Sequence, residues 1–229
     1  MGISAREEIL GRVRRAVGDG DGSDWGGISR DYRRSSGLTQ EETLELLEDR
    51  LRDYEAGVYR ASAGEVQGLV SRLLEERGKK LMAVPAGFPV EWMPEGVRFV
   101  EDARGDVGAI DACEGVLTTA TLAIALTGTI VLQDAPGQGR RAVTLLPDYH
   151  LCVVLSGDVV ETVPEAMGIL QGTAGLATTF FSGPSATADI EMTRIKGVHG
   201  PRFVDVVLVV QRHVPGAEAP RLWGLDCPG

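Results

Sequence analysis

Four polar turns in the second half of this chain carry residue types that chemistry needs. Thr127-Gly128-Thr129 sets two hydroxyls around a glycine between apolar segments. Such a turn can bring hydroxyls and a backbone N–H to a carboxylate or phosphate oxygen, or it can be a buried turn whose threonines satisfy local backbone. Gly137-Gln138-Gly139-Arg140-Arg141 offers two adjacent cations. They could dock an anion or simply be solvated at a turn. No Gly-Lys-Ser/Thr follows, so this is not a phosphate-binding P-loop. Ser182-Gly183-Pro184-Ser185 leads through Thr187 to Asp189 and Glu191. Its hydroxyls and free N–H groups make an anion nest, and either carboxylate could serve as a base. The bland alternative is that Ser185 caps a short helix and Asp189 pairs locally. Gly197-Val198-His199-Gly200-Pro201 places an imidazole between glycines, where it could transfer a proton or only hydrogen-bond a loop. His150 opens an apolar run and reads as structural, and His213 has no assigned role.

The elements that must position these turns follow from periodicity and caps. Capping boxes at Ser4/Glu7, Thr39/Glu42 and Ser62/Glu65 open three helices. The third carries Val66, Leu69, Val70, Leu73 and Leu74 on one face, and Arg77-Gly78 ends it. The acidic cluster Glu41, Glu42, Glu45, Glu48 and Asp49 reads as the solvated face of the second helix. Short apolar runs at 80–84, 97–100, 115–120, 129–133, 142–146, 151–156, 178–182 and 204–211 read as strands, with a helix at 163–172. The 129–133 and 142–146 runs flank Pro136-Gly137-Gln138-Gly139 and read as a hairpin. The expectation is a mostly parallel α/β sheet with helices on both faces. A helical extension, 1–56, precedes the 57–229 core, with a Gly/Ser/Asp-rich mobile loop at 18–37. In such sheets ligands sit at the carboxyl ends of strands, so the four turns should converge on that edge.

Bulk composition narrows the classes. Acidic residues number 33 against 23 basic, giving a formal net charge of −10, which disfavours nucleic acid and anionic membrane. Cys113, Cys152 and Cys227 are too few and too widely spaced for a disulfide framework or a metal cluster. There is no dinucleotide fingerprint and no second histidine at ligand spacing. The purified chain is therefore expected to carry no iron, flavin or zinc. The N-terminal residues have no apolar signal region, and the uncharged 115–133 stretch is rich in threonine and reads as strands rather than a span. A cytoplasmic location is expected.

The turns taken in order resemble the LUD-domain family. The matching series is Leu126-Thr127-Gly128-Thr129-Ile130-Val131-Leu132, the run from Gly139 to His150, Ser182-Gly183-Pro184-Ser185 through Glu191, and Gly197 to Arg202. The resemblance covers about 57–211. It implies a NagB/RpiA/CoA-transferase-like fold and a part in oxidising L-lactate to pyruvate, alongside partner proteins of the same system. Iron–sulfur clusters would sit on a partner, since this chain lacks the cysteines. Larger members add a cysteine-rich ferredoxin-like segment, which is absent here. The family's catalytic residues do not transfer. From the turns themselves the candidate catalytic set is His199, Asp189 and Glu191. The candidate binding set for a small carboxylate is Thr127, Gly128, Thr129, Arg140, Ser182, Gly183 and Ser185. The expected role is a non-redox substrate-binding or organising subunit. The alternatives are a stand-alone isomerase, CoA transferase or folate cyclo-ligase relative, and a purely structural or regulatory subunit.

Overall fold

The computed structural model describes residues 4–18, 27–29, 31–32, 37–102, 106–187, 195–196 and 200–210. Two compact units divide at Arg33 and Arg34. The first contains helix α1 (Ala5–Val17), opened by the Ser4/Glu7 capping box. Most of the 18–37 loop lies outside the described residues.

The second unit holds the sheets. Its six-stranded sheet is wholly parallel. The strands are β1 (Gly57–Ala61), β2 (Leu81–Val84), β3 (Arg98–Glu101), β4 (Gly115–Thr119), β7 (Tyr149–Leu155) and β12 (Phe203–Val209), in the order β1-β12-β7-β4-β2-β3. The central strands are buried on both faces, which is why they read as continuous apolar runs. A second sheet, ordered β8-β5-β6-β9, contains β5 (Leu122–Ile124), β6 (Thr129–Gln133), β8 (Val159–Val160) and β9 (Thr178–Phe181). A two-stranded ladder joins β10 (Ala186–Thr187) to β11 (Ile195–Lys196).

Each face of the parallel sheet has its own core. On one side Leu117, Leu151, Val153 and Val207 pack with the apolar stripe of α3 (Val66–Glu76). On the other, Cys152, Val154, Val206 and Leu208 pack with Leu44, Leu47 and Leu51 of α2 (Gln40–Asp53) and with Ile130 and Leu132 of the second sheet. The α2 helix thus completes the main core, and the compact unit starts at Arg34 rather than after 56. Small helices α4 (Val107–Asp111) and α5 (Arg141–Leu145) cover β2 and β4 through Ile110 and Val143. Helix α6 (Val163–Leu170), with a Thr162/Glu165 capping box, covers the second sheet.

Three expectations need correction, and one strand lies outside them. Residues 141–145 form a helix, not a strand. A five-residue run with Ala142, Val143 and Leu145 as its apolar members fits either state, and the fold decides between them. The hairpin is β5–β6 around Thr127-Gly128, not the turn at 136–139. Strand β1 carries no strong apolar alternation and its existence depends on pairing with β12. Glu48 is not on a solvated face: it is buried, bound by Arg52 at 2.9 Å and by Arg60, and so fastens α2 to β1.

A buried ion pair lies near the amino ends of the central strands. Asp205, fully buried, accepts two hydrogen bonds from Arg77 at 2.9 and 2.8 Å and one from the Tyr149 hydroxyl at 2.8 Å. The Arg77 guanidinium lies over the Tyr149 and Phe203 rings. Burial, then the Asp205 charge, pushes the Tyr149 hydroxyl well above its ordinary range.

Candidate functional site

The carboxyl edge, where ligands were expected, is occupied by the chain itself. The order β7-β4-β2-β3 makes a switch point between β4 and β2, the usual ligand crevice. Gly137 spans it, donating its N–H to Ala86 and accepting from the Thr119 N–H. Gly139, at φ 73°, packs on Pro85. Gln138 is buried and accepts from Thr121 Oγ1 and the Gln133 N–H, both at 2.7 Å. Arg140 then closes the turn with two bonds to Asp102, at 2.9 and 2.8 Å, just beyond β3. Its charge is already matched, so Arg140 fastens the turn and does not line the cavity described next.

The polar groups gather instead near the amino ends of β7 and β12. A cavity of about 230 Å³ is lined there by Arg141 and Thr144 of α5, His150 of β7, Val204 of β12, Phe181 of β9 and the segments 182–185 and 200–201. Ser182, Gly183 and Ser185 therefore meet as expected, but at the edge opposite the one expected. The Ser185 N–H donates to the Pro201 carbonyl at 2.8 Å, which ties the two lining segments together.

Thr127 and Thr129 stand behind Ser182. Thr127 Oγ1 and Thr129 Oγ1 are 2.8 Å apart, and Thr129 Oγ1 is 2.8 Å from Ser182 Oγ. The antiparallel register of β6 with β9 brings them together. These hydroxyls orient one another, and of the three only Ser182 lines the cavity. Gly128 and Gly183 answer to packing. A Cβ at Gly128 would lie 2.8 Å from Arg50 Cβ, and one at Gly183 would lie 2.4 Å from Tyr54 Cβ. Both turns are shaped to admit the C-terminal end of α2.

His150 is the lining residue that sequence reasoning set aside. Its Nε2 lies 2.7 Å from Thr118 Oγ1, and its ring packs on Phe181 with centroids 5.0 Å apart. Complete burial, then the Arg141 cation, pushes its imidazole down to about 3. The ring is neutral at physiological pH. Arg141 itself is exposed and contacts Thr144 Oγ1 at 3.4 Å. The cavity thus combines one cation, hydroxyls and a neutral imidazole, which suits a small anion. Asp189, Glu191 and His199 lie outside the described residues. In sequence the first two fall between β10 and β11, and His199 directly precedes the lining residue Gly200.

A larger cleft, about 680 Å³, lies between the start of α2, β8 and α6. Its lining includes Glu161 and Glu165, whose charge opposes an anionic ligand. Among the described residues no His/Cys/Asp/Glu cluster could hold a metal ion, and no helix is long and apolar enough to cross a membrane.

A parallel α/β sheet, with a second sheet on one face and a small polar cavity between them, defines the class. Within it, residues 91–209 match the LUD domain, and the chain belongs to that family. Lactate utilization protein C of Deinococcus radiodurans is 39% identical over 75% of this chain and 82% of its own length. Lactate utilization protein C of Bacillus velezensis is 26% identical over 90% of this chain and 92% of its own. A crystal structure of a DUF162 family protein from Deinococcus radiodurans superposes with a TM-score of 0.65 at 34% identity, covering 75% of this chain and 99% of that one.

Proposed function

We propose that this chain is a component of a lactate utilisation system that oxidises L-lactate to pyruvate. It acts with iron–sulfur partner proteins as a non-redox subunit that holds the small carboxylate. One observation carries the reading: Arg141, Thr144, Ser182 and Ser185 surround a cavity of about 230 Å³ in a chain similar to proteins named lactate utilization protein C. That volume is below the roughly 300–1,000 Å³ of drug-sized sites and suits a three-carbon acid. Arg141 supplies the charge for the carboxylate, and the 182–185 segment supplies hydroxyl and N–H donors. His199, with Asp189 or Glu191, stands close in sequence to the lining segments and would handle a proton.

Calorimetric titration of the purified chain with L-lactate and pyruvate tests the binding half. Arg141→Gln should weaken carboxylate binding by about ten- to hundredfold, the worth of one charge-assisted hydrogen bond. The proton half is tested by His199→Gln and Asp189→Asn in the assembled system. Each should cut lactate-dependent turnover by about 10²-fold or more. Wild-type turnover in a variant that folds and assembles would leave this chain an organising subunit only.

A further inference from the structure

His150, Thr118 and Cys152 form a polar thread through an otherwise apolar layer. The register of β4 with β7 sets His150 beside Val116 and Cys152 beside Thr118, all on one sheet face. His150 Nε2 meets Thr118 Oγ1 at 2.7 Å, Thr118 Oγ1 donates to Cys152 Sγ at 3.5 Å, and the Cys152 thiol donates to the Thr119 carbonyl at 3.8 Å. A carbonyl can only accept, so the thiol proton points to Thr119, and the sulfur's lone pair is left to accept from the Thr118 hydroxyl. The Thr118 hydroxyl has one proton, which goes to the sulfur, so its oxygen receives the proton on Nε2. A neutral imidazole has one N–H. Burial keeps the thiol protonated, pushed up to about 12, and keeps the ring neutral. In that tautomer Nδ1 carries a bare lone pair, on a ring that lines the cavity.

We infer that His150 offers Nδ1 to the cavity as a hydrogen-bond acceptor, so that the site selects a 2-hydroxy acid over the matching 2-oxo acid. The inference rests on the carboxylate reading above. With the carboxylate on Arg141, the hydroxyl of lactate donates to Nδ1. The keto oxygen of pyruvate sets one lone pair against another, and propionate leaves Nδ1 without a partner. The cavity holds the reduced member of the pair and releases the oxidised one. Thr118 acts through His150 and is a positioning residue: it sets the tautomer as a second partner sets that of any functional imidazole.

Titration of the wild-type chain with L-lactate, pyruvate and propionate, matched in carbon number and charge, tests this. Lactate should bind about tenfold more tightly than either of the others. Nitrogen NMR of the ring-labelled protein should show His150 with a protonated Nε2 and an unprotonated Nδ1. Thr118→Val removes the acceptor for Nε2–H, and the preference for lactate over pyruvate should collapse. Equal affinities for the three acids, or a proton on Nδ1, overturn the inference while carboxylate binding stands. If none of the three binds, the carboxylate reading falls and this inference falls with it.

Discussion

Acid should destabilise this protein through one histidine. In the unfolded chain the His150 imidazole titrates near 6.5, and in the fold burial lowers it to about 3. Its folded value is the depressed one, so the associated stability is full above about pH 6.5 and is lost as the pH falls toward 3. Over that window the unfolded state takes up a proton that the native state refuses. Each unit within it costs about 1.4 kcal/mol. Starting from about pH 7, where the unfolded ring is mostly neutral, the loss by about pH 5 is about 2 kcal/mol. Urea unfolding at those two pH values measures it, with His150→Asn as the reference. The variant will be less stable throughout, because it loses the ring's packing on Phe181. Its change between the two pH values should nevertheless be smaller by about 2 kcal/mol. Carboxylates titrate in both proteins and cancel in the comparison. Equal losses would refute the reasoning and show that the ring is not held neutral.

Three further outcomes follow from the packing. Asp205→Asn breaks the pair with Arg77 and should cost about 3–5 kcal/mol in urea unfolding, since a cation is left facing a buried site without its counter-charge. Gly128→Ala places a methyl against Arg50 at a φ of 59° and should cost about 1–3 kcal/mol, read as a lowered thermal midpoint. Glu114 accepts the Lys80 and Leu81 N–H groups, which holds its carboxyl below the usual range. Its contribution is present above about pH 4.3 and is lost as the pH falls further, so Glu114→Gln should flatten the acid limb of the stability profile.

The elements that sequence displays best are those whose signals are local. A hydroxyl and a carboxylate three residues apart mark a helix start without help from the rest of the chain, and the boxes at Ser4, Thr39 and Ser62 all form. Residues 141–145 lack such a mark, so their apolar character could be spent on either element. The candidate site is legible only in part for the same reason. Ser182, Gly183 and Ser185 are close in sequence and stay together in space. His150 needs Thr118 and Arg141 beside it to look like anything but a core residue, and only the register of β4 with β7 supplies Thr118. The closure of the carboxyl edge is not legible, because nothing in Gly137-Gln138-Gly139 announces that it will cap the switch point. That follows from the bonds Gly137 makes to two different strand ends.

Strand β12 pairs with β1 on one side and β7 on the other, although among the described residues β1 precedes every other strand and β12 follows them all. During synthesis the first strand therefore waits for the last. Until β12 arrives, β1 has no partner within the six-stranded sheet and β7 shows an open edge of buried-type residues. A nascent chain stalled before Phe203 presents two sticky edges, which invites pairing with other chains and capture by chaperones. Arg77 waits as well, because its carboxylate partner is carried by that same strand. Truncated products lack both the central ladder and its ion pair.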